Sequence, residues 1–231
     1  MKDSGVSRWM GFIGIVAVAV IFVAFGPLGS GSPDENASGV VVAHWYNTHV
    51  GQNWASIYLV GLGLALILVF VTQLRSALRQ AGSGELWANL TFAAGIIFVA
   101  GFIVLGSAQV TLILAAHNHE YSIVKVFNFF GDNNELPIIF GISLLGLTTG
   151  LAILVNRSAT PLPKTLGWYS VLVGVLAVAG PLGFLDFLFG FPIWLIATGF
   201  VIATKVRRGT LGPSSESAAA AGSPAAQLVT T

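Results

Sequence analysis

The chain has 231 residues, 55% of them hydrophobic and 8% charged, with a mean hydropathy of +0.85. Soluble domains carry roughly 25% charged residues, so this composition leaves too little polar surface for a water-soluble globule and points to an integral membrane protein. Ten Lys and Arg against nine Asp and Glu give a net charge of +1 with no basic cluster long enough to follow a phosphate backbone, so no nucleic-acid partner is expected; the lack of cysteine excludes disulfides, thiolate metal sites and thiol nucleophiles.

A membrane-crossing helix needs about 20 mostly apolar residues. Six such runs occur, at 9–28, 55–74, 87–112, 137–155, 166–183 and 186–206. The first follows Lys2 and Arg8 and ends at Gly26-Pro27; cleavage as a signal peptide is the rival reading, against which Pro27 and the unbroken length favour a retained anchor. Next, Ser32-Pro33-Asp34-Glu35 has the form of a capping box and Gly51 is placed to stop a helix, which predicts a helix over 33–50. Within it Val41, Trp45 and His49, and also Val42 and Tyr46, share i,i+4 spacing, as in a helix lying flat at the outer interface.

The second run closes on Leu74-Arg75 and Arg79. The third opens at Trp87 and stays apolar to Ala116, a reach of roughly 45 Å, so this helix should tilt or project from the bilayer. Ile123, Val124, Phe127 and Phe130 against Lys125 and Asn128 predict a second outer lid helix over 121–130. Pro137 falls in the first turn of the fourth run, and Trp168 and Tyr169 mark the entry to the fifth. Pro181, Gly183, Gly190 and Pro192 crowd the passage into the sixth; a turn over 184–191 would leave Asp186 at headgroup level, capping the last helix. The resulting expectation is an all-α polytopic membrane protein: a cytoplasmic segment 1–8, a six-helix transmembrane bundle over 9–206 with short outer interfacial helices, and a disordered cytoplasmic tail over 207–231 that is rich in Ala, Ser, Gly and Pro.

Basic residues orient this bundle, because Lys and Arg concentrate in cytoplasmic loops. With both termini inside, Lys2, Arg8, Arg75, Arg79, Arg157, Lys164, Lys205, Arg207 and Arg208 are cytoplasmic and only Lys125 lies outside. Five or seven crossings would scatter the same residues over both faces. Trp9, Trp87, Trp168 and Tyr169 on the inner side and Trp45, Tyr46, Trp54, Tyr58 and Tyr121 on the outer then form two aromatic belts. Gly146-Leu-Thr-Thr-Gly150 and Gly61-xxx-Ala65 match small-residue helix contacts, read here as internal packing rather than a dimer face.

Candidate chemistry is sparse. His44, His49, His117 and His119, with Glu120 adjacent, all fall on the outer side and are the candidate ligands of a transition metal; no other cofactor is expected. Helical spacing is unhelpful to them, since five steps of 100° set His44 and His49 about 140° apart. Asp186 is the one acidic residue placed to enter the apolar layer, and intramembrane ionisable groups read as functional by default. No nucleophile elbow, P-loop or HExxH motif occurs, so no enzyme activity is expected.

In their order, Pro33-Asp34-Glu35 followed by His44-Trp45-Tyr46, the span end Gln73-Leu-Arg-Ser-Ala-Leu-Arg79, Pro161-Leu-Pro-Lys-Thr-Leu-Gly-Trp168 and Phe191-Pro-Ile-Trp-Leu-Ile-Ala-Thr-Gly199 resemble a group of uncharacterised multi-pass membrane proteins of actinobacteria. The resemblance covers about 33–206 and implies the six-helix architecture and a plasma-membrane location, but no activity and no site residue. The functional expectation is a non-enzymatic membrane protein. It would act through contacts with lipids, a membrane-protein partner or a second copy of itself, or by binding a lipid or apolar ligand between helices. The alternatives are metal binding through the outer histidines, and a small transporter lined by Asp186 and the polar residues of the third helix.

Overall fold

The computed structural model describes residues 9–28, 30–133, 136–155, 162–179 and 181–208. Of the tail expected over 207–231, Arg207 belongs to the last helix and 209–231 lie outside the described residues, as do the segment 1–8 with Lys2 and Arg8, and Arg157. Among the described residues there are no strands, and the helices are α1 (Met10–Phe25), α2 (Gly39–Thr48), α3 (Val50–Gln80), α4 (Glu85–His117), α5 (Tyr121–Asn133), α6 (Leu136–Val155), α7 (Lys164–Ala177), α8 (Pro181–Leu185) and α9 (Phe191–Arg207). A π-helical turn, Asp186–Gly190, joins α8 to α9.

Each predicted span overlaps an apolar helix, but four stretches are long and apolar enough to cross a membrane: α3, α4, Tyr121–Val155 and Asp186–Val206. The first and fifth runs give shorter apolar helices, Phe12–Phe25 and Lys164–Ala177. With 14 residues α7 reaches roughly 21 Å, well short of a hydrocarbon core about 30 Å thick. The predicted fifth span ran to 183; the helix instead stops at Ala177, and Pro181, which has no N–H to give, opens a new one.

Two tiers follow from the register of α4. Gly101 abuts Pro137 and Ile138 at the start of α6, and Gly141 abuts Phe98, so the two helices run antiparallel. Residues 102–117 of α4 therefore continue past the beginning of α6 for roughly 24 Å. Helices α2 and α5 pack along this overhang through a separate apolar cluster of Val42, Ala43, Tyr46, Leu112, Ile113 and Val124. The larger core joins α1, α3, α4, α6, α7 and α9 around Phe70, Phe98, Phe102, Phe191 and Trp194.

Helix α2 departs from its predicted bounds. The capping box at Ser32 does not start a helix: the Asp34 carboxylate accepts from the Asn36 N–H (2.8 Å) and the Asp34 carbonyl from the Ala37 N–H (2.9 Å), a local turn that competes with helix. Helix α2 begins six residues later than predicted, at Gly39 after the N-cap Ser38, whose Oγ accepts from the Val41 N–H. Gly51 stops nothing, since α3 starts at Val50 and runs through it. Helix α2 buries Val42, Ala43 and Tyr46 against α4 and α5 and leaves Val40 and Val41 exposed.

The close α6–α7 seam explains the GxxxG match. A Cβ on Gly146 would stand 2.7 Å from the Gly174 N and the Ser170 carbonyl O, and one on Gly150 would stand 2.7 Å from the Gly167 carbonyl O, so these glycines allow backbone-to-backbone approach inside the protein. Gly61, by contrast, faces no atom within 4 Å. At the opposite end of α3 from α2, the Arg75 Nε donates to Asn89 Oδ1 (2.9 Å) and Arg79 pairs with Glu85 (3.8 Å), tying α3 to α4.

Candidate ligand cavity

Two adjoining cavities lie between the tiers and the bundle. One, about 180 Å³, is a crevice lined by apolar residues of α1 (Val18, Ile21), of α4 (Phe98, Phe102) and of the π-turn and α9 (Phe187, Leu195). Its rim includes Phe22 and Phe25, which are 46% and 50% exposed, so the crevice borders the exterior of the bundle. The other, about 250 Å³, lies farther along α4 and combines apolar walls with Tyr46, Asn53, Ser56, Gln109 and Asn128. Phe25 and Phe102 line both, their ring centroids 6.0 Å apart, so this aromatic pair separates the two spaces.

The polar cavity exists because side chains at its margins are committed to helix ends. The last carbonyls of a helix lack intrahelical donors. Beyond the end of α1, Gln52 Nε2 donates to the Leu28 carbonyl (2.7 Å), and Ser56 Oγ donates to that of Ala24 (3.0 Å) in its last turn. Asn47 Nδ2 donates to the Ala116 carbonyl in the last turn of α4 (3.0 Å), and Asn128 Nδ2 to the Asp34 carbonyl (3.1 Å). Gln109 Nε2 donates to the Tyr46 hydroxyl (2.9 Å), which links α4 to α2. Asn53 differs: it is 4% exposed, and its amide nitrogen has no hydrogen-bond partner among the described residues. Comparison with family models, curated proteins and solved structures gives no match. The site therefore has to be read from its own chemistry.

Tyr46 was expected in the outer aromatic belt, yet it is 5% exposed and forms cavity wall. Gln109 was legible only as one of several polar residues on the third run. Asn53 went unnoticed because it precedes the apolar part of α3; an amide one turn before a long apolar run is the one signal that marked it.

Asp186 is buried at 4% exposure in the π-turn, and neither carboxylate oxygen has a partner among the described residues. It therefore does not cap α9 through its side chain, as a turn over 184–191 would have it. The local geometry follows from Pro192, which cannot donate to the carbonyl four residues back; the ladder shifts, and the Phe191 N–H bonds the Asp186 carbonyl five residues away. A Cβ on Gly190 would fall on Asp186 Oδ1, so glycine there makes room for the carboxylate. Beside it the Tyr169 hydroxyl donates to the Gly190 carbonyl (3.0 Å), and Trp194 Nε1 donates to Ser170 Oγ (2.7 Å).

The four histidines lie at the end of the protein that carries α2 and α5, but not at a common point. His44 and His117 are exposed. The His49 ring stacks on Trp45, centroids 4.6 Å apart, with Nδ1 2.9 Å from the Trp45 carbonyl oxygen. His119 (φ 61°) and Glu120 end α4 in a Schellman turn, the His119 N–H bonding the Ala116 carbonyl and the Glu120 N–H that of Ala115. Among the described residues no three His, Asp or Glu side chains come together as a metal-holding group, so His44, His49, His117, His119 and Glu120 are not gathered into one.

Proposed function

We propose that the protein is a six-crossing protein of the plasma membrane, both termini cytoplasmic, that holds a lipid or other apolar ligand between its helices and catalyses no reaction. The observation that carries this reading is the crevice between α1, α4 and α9, walled by apolar side chains and bordered by half-exposed Phe22 and Phe25, where an acyl or isoprenoid chain can enter from the bilayer. The placement of basic residues supports the orientation. Arg75 and Arg79 at the end of α3, Lys164 at the start of α7, and Lys205 and Arg208 at the end of α9 share one end of the bundle, and Lys125 of α5 lies at the other. The resemblance to actinobacterial multi-pass proteins agrees with a plasma-membrane location.

Filling the crevice tests the reading. Leu188→Trp adds bulk to a crevice-wall residue outside the two main apolar clusters, so the folded protein should persist while the lipid retained after detergent exchange, counted by mass spectrometry, falls several-fold. Equal lipid retention by the two proteins would refute it.

A further inference from the structure

We infer that the polar cavity binds a methylated ammonium group, a cation whose charge is spread over its N-methyl carbons. This site is separate from the apolar crevice and does not depend on the lipid-holding reading. Three observations lead there.

The first is a pair of open oxygens. Gln109 Nε2 donates to the Tyr46 hydroxyl and Asn128 Nδ2 to the Asp34 carbonyl, so each amide is oriented by a bond to the protein. The acceptors are left over: Gln109 Oε1 and Asn128 Oδ1 take no hydrogen bond among the described residues. Neither oxygen is sealed in by its neighbours, in contrast to the Asn53 nitrogen. Both residues line the cavity, which therefore presents the negative ends of two amide dipoles.

The second is the rest of the wall. Phe25, Trp45, Tyr46, Phe102 and Phe127 line the same space, and no Lys, Arg or His does. Aromatic rings carry negative charge on their faces and attract cations, quaternary ammonium groups among them. A methylated ammonium makes no strong hydrogen bonds to water, so it gives up little on entry, and its methyls suit apolar walls. A metal ion or a primary ammonium would lose its water for two oxygens, a far larger cost. Space is sufficient, since one water needs roughly 10–15 Å³ and the cavity offers about 250 Å³.

The third is the charge at the cavity's entrance. Ser32 is exposed and lines the cavity, which thus reaches the surface two residues from Asp34. Among the described residues the end that carries α2 and α5 bears Asp34, Glu35 and Glu120 against one base, Lys125. An excess of one sign around a cleft raises the local concentration of the opposite ion.

The test is equilibrium dialysis of the full-length protein in dodecyl maltoside against radiolabelled tetramethylammonium chloride, with sodium chloride holding the ionic strength constant. Saturable binding is expected, with unlabelled methylammonium competing at least several-fold less well than unlabelled tetramethylammonium. Phe127→Leu keeps an apolar wall and removes a ring, and should weaken binding about 2- to 5-fold, the range of one exposed cation–π contact. Asp34→Asn keeps an oxygen for the Asn36 N–H, so the turn should persist; binding should weaken about 2-fold at low ionic strength, and the difference should fade as salt screens it.

Two lipids distinguish the sources of such a group. Displacement of the label by dioleoylphosphatidylcholine but not by dioleoylphosphatidylglycerol assigns the ammonium to a lipid head, and displacement by neither assigns it to a free solute. Equal displacement by both shows a space for acyl chains and overturns the inference. Absence of saturable binding, equal competition by methylammonium, or unchanged affinity in both Phe127→Leu and Asp34→Asn overturns it as well, and each of these leaves the lipid reading of the crevice intact.

Discussion

Gly146→Ala, set against Gly61→Ala, measures what holds α7 in place. Helix α7 is too short to cross a bilayer by length, so its position depends on its seam with α6. At Gly146 the added carbon would stand 2.7 Å from the Gly174 N and the Ser170 O and 2.9 Å from Gly174 Cα, all backbone atoms that no rotamer change moves. Ordinary contact begins near 3.4 Å. The two helices would have to part by several tenths of an ångström, and overpacking of this kind costs roughly 1–3 kcal/mol. Replacing glycine by alanine inside a helix also gains roughly 0.8–1.0 kcal/mol of helix propensity. Gly61→Ala collects the same gain with no atom within 4 Å to strike. Propensity therefore cancels between the two variants, and their difference isolates the seam: Gly146→Ala should be less stable than Gly61→Ala by about 1–3 kcal/mol. Reversible unfolding in mixed micelles, titrated with dodecyl sulfate and followed by circular dichroism, gives both free energies. Equal midpoints, or a Gly146→Ala protein more stable than Gly61→Ala, would show that α6 and α7 do not meet at these glycines.

Two further outcomes are expected. Gly190→Ala should be less favourable in the natural protein than in an Asp186→Ala background, by a coupling of roughly 0.5–3 kcal/mol, because its Cβ displaces the Asp186 carboxylate; a double-mutant cycle in the same unfolding assay measures the coupling, and additive effects would separate the two residues. Because the chain has no cysteine, Glu120→Cys and Arg79→Cys each introduce a unique thiol; a membrane-impermeant maleimide should label intact cells at 120 and reach 79 only after permeabilisation, and the opposite pattern would invert the proposed orientation.

What the sequence makes legible here is whatever a single continuous segment encodes. The apolar runs behind α3, α4 and α6 show as helices because each carries its own signal over about 20 residues, and the excess length of the third run already implies projection. The start of α2 is misread because Ser32, Pro33, Asp34 and Glu35 fit a capping box as well as they fit the turn that forms, and only docking of α2 on α4 favours the later start at Ser38. The same docking turns Tyr46 from a belt residue into a cavity wall. Tyr46, Asn53 and Gln109 lie on three helices, and no periodicity within one helix reports a meeting among three. The small-residue match at Gly146 shows the opposite limit: its pattern is local, but which helix it meets is set by the antiparallel register of α6 and α7.

The polar side chains of the tier built by α2, α5 and the end of α4 explain why a cavity persists there instead of collapsing. A void between helices closes when its walls are free to slide, since dispersion contacts are regained. Here the walls are pinned around the perimeter. Gln52 and Ser56 fasten the end of α1 to α3, Asn47 and Tyr46 fasten α2 to α4, and Asn128 fastens α5 to the segment before α2. Four of these five bonds end on backbone carbonyls, and sliding would forfeit them. The residue types that bridge these segments in an apolar setting are therefore the same ones that hold the space open.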